Sequence, residues 1–220
     1  LDQAVQVALD GAFYQTGQRC TASSRLIVTH GVHDAFVEKL TAKAKALRVG
    51  HALDAESEIG PVATGAQLAK DLSYVDIARA EGAALMCGGE RIERPTQGYY
   101  LAPALFAGVT AKMRLAQEEV FGPVAAVLKA ADLDEALAIA NDSEFALSSA
   151  ICTTNLSAAE KFRRSIRAGM VVVNAPTSGA EYHVPFGGRA PSGYGPREQG
   201  AATAEFFTET KTSYINHGVI

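Results

Sequence analysis

The chain has 220 residues, 48% of them hydrophobic and 20% charged, and its 20 basic and 24 acidic side chains give a formal net charge of −4. The apolar fraction excludes a disordered region, and mild acidity with scattered basic residues gives no electrostatic reason to bind nucleic acid or an anionic membrane. A chain of this size buries roughly 70% of the surface its unfolded form exposes, so it can hold one core without disulfides or metal.

Taken in chain order, Val5, Ala8, Leu9, Ala12 and Phe13 recur at helical spacing within 2–15, and Gly17 ends the pattern. A short loop with Gln18, Arg19 and Cys20 leads to Leu26-Ile27-Val28, a buried strand, and then to a second helix with Phe36, Val37, Leu40, Ala44 and Leu47 on one face. A Gly- and Pro-containing loop over 50–64 precedes a helix that turns Leu68, Leu72, Val75 and Ala78 inward and closes near Gly82. Ala84–Cys87 reads as a strand, and 99–107 as an edge strand at best, because Pro103 lacks a backbone donor. Val124–Leu128 is a strand, Asp132 or Asp134 caps a helix through Ala140, and Ala146–Cys152 is another strand. A helix over 157–168 ends at Gly169, and Val171–Val173 follows as the most strand-like run. This alternation predicts an α/β fold of three layers, a mainly parallel sheet with helices on both faces. Residues 175–200 hold four of the eight prolines and six of the twenty glycines, which predicts a long functional loop system. A helical pattern around 202–207 and a strand-like tail at 212–215 complete the chain.

Cys20, Cys87 and Cys152 are odd in number and far apart, which argues against a disulfide framework or a Cys-x-x-Cys site and favours a reducing, cytoplasmic location. There is no apolar run of roughly 20 residues that could span a bilayer, and residues 1–4 lack a secretory pattern. Cys87 and Cys152 lie in apolar strand patterns and are expected to be core residues. Cys20 sits in a Gly-interrupted turn beside Arg19, where a thiol can gain thiolate character.

A second candidate is Glu118-Glu119-Val120-Phe121-Gly122-Pro123, which could offer a carboxylate to a sugar hydroxyl and a ring to a flat cofactor; on spacing alone it is equally a solvated helix end and a turn. The third is Pro185-Phe186-Gly187-Gly188 with Ser192-Gly193-Tyr194-Gly195, which makes neither a dinucleotide fingerprint nor a phosphate loop. The five histidines form no pair at metal-ligand spacing backed by carboxylates, His30 and His33 straddling a strand-to-helix turn, and there is no Gly-x-Ser-x-Gly elbow, so neither a metal site nor a serine hydrolase is expected.

In this order, and with Val172-Val173-Asn174, these segments resemble the successive signatures of the aldehyde dehydrogenase superfamily from the first residue to the tail. Asn174-Ala175-Pro176-Thr177, Tyr182–Phe186 and Tyr194–Gly200 are similar to its α-ketoglutaric semialdehyde (2,5-dioxovalerate) dehydrogenases, although Ala190-Pro191 departs from the usual basic residue there.

The resemblance implies that Cys20 attacks an aldehyde to give a thiohemiacetal, which hydride transfer to NAD or NADP converts to a hydrolysable thioester. It implies that Glu119 meets the nicotinamide ribose, that Phe121 packs beside it, and that the Cys20 N–H is an oxyanion donor. Asn174 would anchor a loop and Phe186 would line the aldehyde funnel. Arg19, Thr177, Ser178 and His183 are candidate donors to a substrate carboxylate, Arg19 equally a structural ion-pair partner. The implied organisation is a catalytic domain over 1–208 and a tail over 209–220, whose strand Lys211–Ile215 joins a homo-oligomer. The family's dinucleotide-binding half, its general-base glutamate in a Glu-Leu-Gly-Gly context and its second oxyanion donor have no match here. The expectation is therefore a chain that does not oxidise aldehydes alone; the alternatives are a cofactor-free thiol esterase or a folded fragment without activity.

Overall fold

Residues 1–218 are described by a computed structural model. Helix α1 (Asp2–Phe13) buries Val5, Leu9, Ala12 and Phe13, then gives way to a 3-10 turn at Tyr14–Gly17. Strand β1 (Arg25–Thr29) leads into α2 (His33–Ala46), and α3 (Gly65–Ala80) starts at Thr64, whose side chain accepts from the Gln67 N–H at 3.1 Å. Strands β2 (Ala84–Cys87) and β3 (Ala104–Ala107), the short helix α4 (Arg114–Gln117) and strand β4 (Val124–Ala130) follow. Asp132, rather than Asp134, caps α5 (Leu133–Asn141), accepting from the Glu135 N–H at 3.0 Å. Strand β5 (Ser148–Ile151), α6 (Leu156–Ser165), β6 (Met170–Val173) and a short α7 (Thr203–Phe207) complete the order.

The main sheet runs β1-β4-β3-β2, parallel except for the β2–β3 pair. Alternation along the strands supplies two cores. Leu26, Val28, Ala125, Val127 and Leu105 pack with α1 and α2. Ala126, Leu128, Ala104 and Phe106 pack with Tyr74, Val75 and Ala78 of α3.

Three expectations need correction. The strand after Pro103 is interior, not an edge: β3 lies between β4 and β2 and all four of its residues are buried. Proline stops the ladder only at its own nitrogen, and the next N–H, of Ala104, already bonds the Pro123 carbonyl at 2.8 Å. The alternation forms two sheets rather than one, since β5 and β6 pair only with each other. Cys152 follows the last residue of β5 and is exposed, so the core reading holds for Cys87 alone. Within this chain residues 208–218 form no strand and are exposed; the last two residues of the expected 209–220 tail lie outside the described residues. Among the described residues no helix is long and apolar enough to cross a membrane, and no group of three His, Cys, Asp or Glu could hold a metal ion.

Candidate active site

The loop carrying Cys20 is held from several sides. Gln15, Thr16 and Gly17 take successive left-handed conformations (φ 54, 60 and 63°), an arrangement that costs a β-branched threonine roughly 1–2 kcal/mol and persists only under surrounding constraint. The constraint is visible: the Thr16 hydroxyl donates to the Gly60 carbonyl at 3.1 Å, and the Gln18 side chain accepts from the Ala63 N–H at 2.8 Å. Arg19 donates to the carbonyls of Tyr14 (3.1 Å) and Asp10 (3.4 Å), tying the loop to the end of α1. Thr177, buried, donates to the Thr21 carbonyl at 2.6 Å, which leaves the Ser23 hydroxyl to donate to Thr177 Oγ1 at 2.8 Å. Cys20 is the one exposed residue between Thr16 and Ser23, and its thiol is free. Fixed surroundings and an open sulfur are what a nucleophile on a loop requires.

The two adjacent carboxylates of the second motif diverge. Glu118 is bound by Arg114 through two 2.8 Å bonds and by the Tyr74 hydroxyl at 2.5 Å; these bonds, from Arg114 first, hold its carboxyl down at about 2. Glu119 is exposed, its backbone carbonyl accepting from Lys70 Nζ at 2.7 Å. Val120 is buried and its carbonyl accepts from Gln67 Nε2 at 2.9 Å, while Phe121, at φ 65°, turns its ring outward to 38% exposure. The motif thus anchors one acid and presents the other together with the ring.

A cavity of about 740 Å³ is lined by Cys20, Glu119 and Phe121, and also by Arg19, Thr177 and Cys152. Residues of β1 and β5 also line it, and β1 is an edge strand, with no second strand partner among the described residues. The remaining predicted residues lie elsewhere. Asn174, left-handed at φ 58°, accepts from the Thr153 N–H at 2.8 Å and donates to the Thr153 carbonyl at 2.9 Å, which ties it to the segment beside Cys152. Ser178 reaches only the Asp10 carbonyl, at 3.5 Å, and His183 is exposed beside Glu181. Phe186 is half-buried and pairs through its backbone with Glu198. The sequence reading missed Gln67, Lys70 and Asp71, treating α3 as an ordinary amphipathic helix. A signal was present, since Asp71 falls between Leu68, Leu72 and Val75 on the face that turns inward.

The exposed Glu119 and Phe121 thus share one cavity with Cys20. Residues 1–213 match the Aldehyde dehydrogenase family. The chain is 44% identical to an alpha-ketoglutaric semialdehyde dehydrogenase of Bacillus subtilis, matching over 98% of this chain and 44% of that protein. It is 45% identical to an alpha-ketoglutarate semialdehyde dehydrogenase of Haloferax volcanii, over 98% of this chain and 45% of that one. It is also 41% identical to a betaine aldehyde dehydrogenase of Cereibacter sphaeroides, over 100% of this chain and 45% of that one. Among solved structures, betaine aldehyde dehydrogenase of Staphylococcus aureus in complex with NAD+ superposes with a TM-score of 0.90 at 34% identity, covering 94% of this chain and 41% of that one. The chain spans less than half the length of these relatives. By sequence and by fold, it belongs to the aldehyde dehydrogenase family.

Proposed function

We propose that this chain is the catalytic-cysteine portion of an NAD(P)+-dependent aldehyde dehydrogenase and that Cys20 is its nucleophile. The observation that carries this reading is the placement of an exposed Cys20, on an otherwise wholly or partly buried and tethered loop, on the same cavity as Glu119 and Phe121. The Cys20 sulfur, as thiolate, bonds to the aldehyde carbon, and the carbonyl oxygen takes the electron pair and accepts from the Cys20 N–H. A bound nicotinamide would supply the hydride acceptor for this carbon. The thioester left on Cys20 is then attacked by water, which releases the acid and regenerates the thiol. Glu119 would orient the nucleotide through its ribose hydroxyls, and Phe121 would exclude water from one side.

The unpaired edge of β1 along the cavity supports the further reading that a second half completes the enzyme, because an open strand edge is a surface to be covered. The general base for the water would come from that other half. The substrate that best fits the relatives is 2,5-dioxopentanoate, oxidised to 2-oxoglutarate: the two relatives named for that semialdehyde are 44% and 45% identical, against 41% for one named for betaine aldehyde. Arg19 and Thr177 are already bonded to backbone carbonyls, so the substrate's carboxylate would draw its donors from the other half. Assembly into a homo-oligomer through the tail around Lys211–Ile215 follows from the same family membership, and light scattering at micromolar concentration tests it: a monomer would count against it.

The nucleophile is tested by exposing the chain to an activated ester and mapping the adduct by mass spectrometry before and after hydroxylamine. One acyl group on Cys20, removed by hydroxylamine and slow to leave in water, is the expected result. Rapid catalytic ester turnover would favour a thiol esterase, and an unmodified Cys20 would favour a folded fragment without activity.

A further inference from the structure

Helix α3 carries a carboxylate that the chemistry above does not use. Asp71 is 0% exposed, on the face where Leu68, Val75 and Ala78 turn inward. Its Oδ1 accepts from Gln67 Nε2 at 2.7 Å, the same nitrogen that donates to the Val120 carbonyl, and its Oδ2 has no hydrogen-bond partner. Against it lies Gly122: a Cβ there would stand 2.2–2.4 Å from the atoms of the Asp71 carboxyl group, so only glycine fits. The neighbouring Lys70 holds the Glu119 carbonyl. One face of α3 therefore grips the backbone on both sides of Phe121.

We propose that Asp71 is a positioning residue for the Glu119–Phe121 segment, acting through Gln67 and Gly122 and gripping the segment most firmly when its carboxyl is protonated. The proposal rests on the reading of Glu119 and Phe121 as the cofactor-facing pair. Ionised, Oδ2 would be a buried negative charge without a donor. The charged group that acts on it is Lys70 of the same helix, whose ammonium donates to the Glu119 carbonyl; on the facing segment Glu118 is held by Arg114, and Glu119 is acidic. Burial pushes the Asp71 carboxyl up to about 6, against the help of Gln67 and Lys70. As the pH rises through that value, charge appears against Gly122 and loosens the grip.

The test is NMR on the 220-residue chain, following the Asp71 carboxyl carbon and the backbone amides of Glu119, Val120, Phe121 and Gly122. Asp71 is expected to be roughly 100-fold weaker as an acid than a free aspartate, with the four amides shifting at the same midpoint. Asp71→Asn should hold them in their low-pH positions at every pH, and Asp71→Leu should displace them throughout. A carboxyl titrating near pH 4, or amides indifferent to its titration in the wild type, would overturn the proposal. Should Asp71→Leu fail to fold, the comparison of wild type with Asp71→Asn decides alone. None of these readouts needs cofactor or turnover, so they stand or fall separately from the dehydrogenase reading.

Discussion

The Gly17 backbone rests on the Gly122 carbonyl: a Cβ built on Gly17 would lie 2.3 Å from that oxygen. Two segments about 100 residues apart, one bearing Cys20 and the other Glu119 and Phe121, are thereby packed backbone to backbone. Gly17→Ala combines this overlap with a left-handed φ of 63°, so the loop must move. The left-handed alanine alone costs about 1 kcal/mol, and the overlap adds to it. We expect a lower midpoint of thermal unfolding and a slower reaction of Cys20 with the activated ester; unchanged values for both would show that the contact does not position the sulfur.

Thr177 links the long loop to the cysteine loop. Replacing it by valine keeps the shape but removes the hydroxyl that satisfies the Thr21 carbonyl and receives Ser23. Leaving such buried groups unpaired costs about 1–3 kcal/mol. Thr177→Val should lose stability of that size in urea unfolding, whereas a surface control such as Ser73→Ala should change little.

Much of this was legible in the sequence, and the part that was not is of one kind. Periodicity marks α1, α2 and α3 because each buries a single face, and β4 is marked by a continuous apolar run buried on both faces. It fails at β3, where Ala104–Ala107 is buried on both faces and shows no alternation, and where Pro103 reads as a warning although it precedes the strand. Cys20, Glu119 and Phe121 were identifiable by motif and do share a cavity. The engagement of Arg19 and Thr177 with backbone carbonyls was not, because the partners of Thr177 lie more than 150 residues away. The separate fates of Glu118 and Glu119 also depend on partners outside the motif, Tyr74 and Lys70 on α3.

The three thiols should differ in reactivity. Cys87 is buried, and burial pushes its thiol pKa up; Cys152 is exposed as a residue, yet the surroundings of its sulfur push its thiol pKa up as well. With limiting iodoacetamide near pH 7.5, alkylation should follow the order Cys20, Cys152, Cys87. Peptide mapping checks it, and Cys87 modified first in native protein would contradict the described packing.

Glu118 gives a dependence on acid. Its carboxyl lies near 2 when folded against a reference of 4.5, so the stabilisation it brings is present above about pH 4.5 and is lost as the pH falls toward 2. Glu118→Gln should lower the unfolding midpoint at pH 7 and flatten its decline between pH 5 and pH 3. An unaltered acid limb would mean that the Arg114 and Tyr74 contacts do not persist in solution.

The central claim is that the nucleophile lies in this chain while turnover needs a second, cofactor-binding half. Its most direct measurement is NAD(P)H formation from 2,5-dioxopentanoate, by the 220-residue chain alone and by the same chain joined to the first half of a relative such as the Bacillus subtilis enzyme. The account predicts no formation by the chain alone, formation by the joined protein, and its loss in the joined Cys20→Ala variant. Steady NAD(P)H formation by the chain alone, or by the joined Cys20→Ala protein, would contradict it.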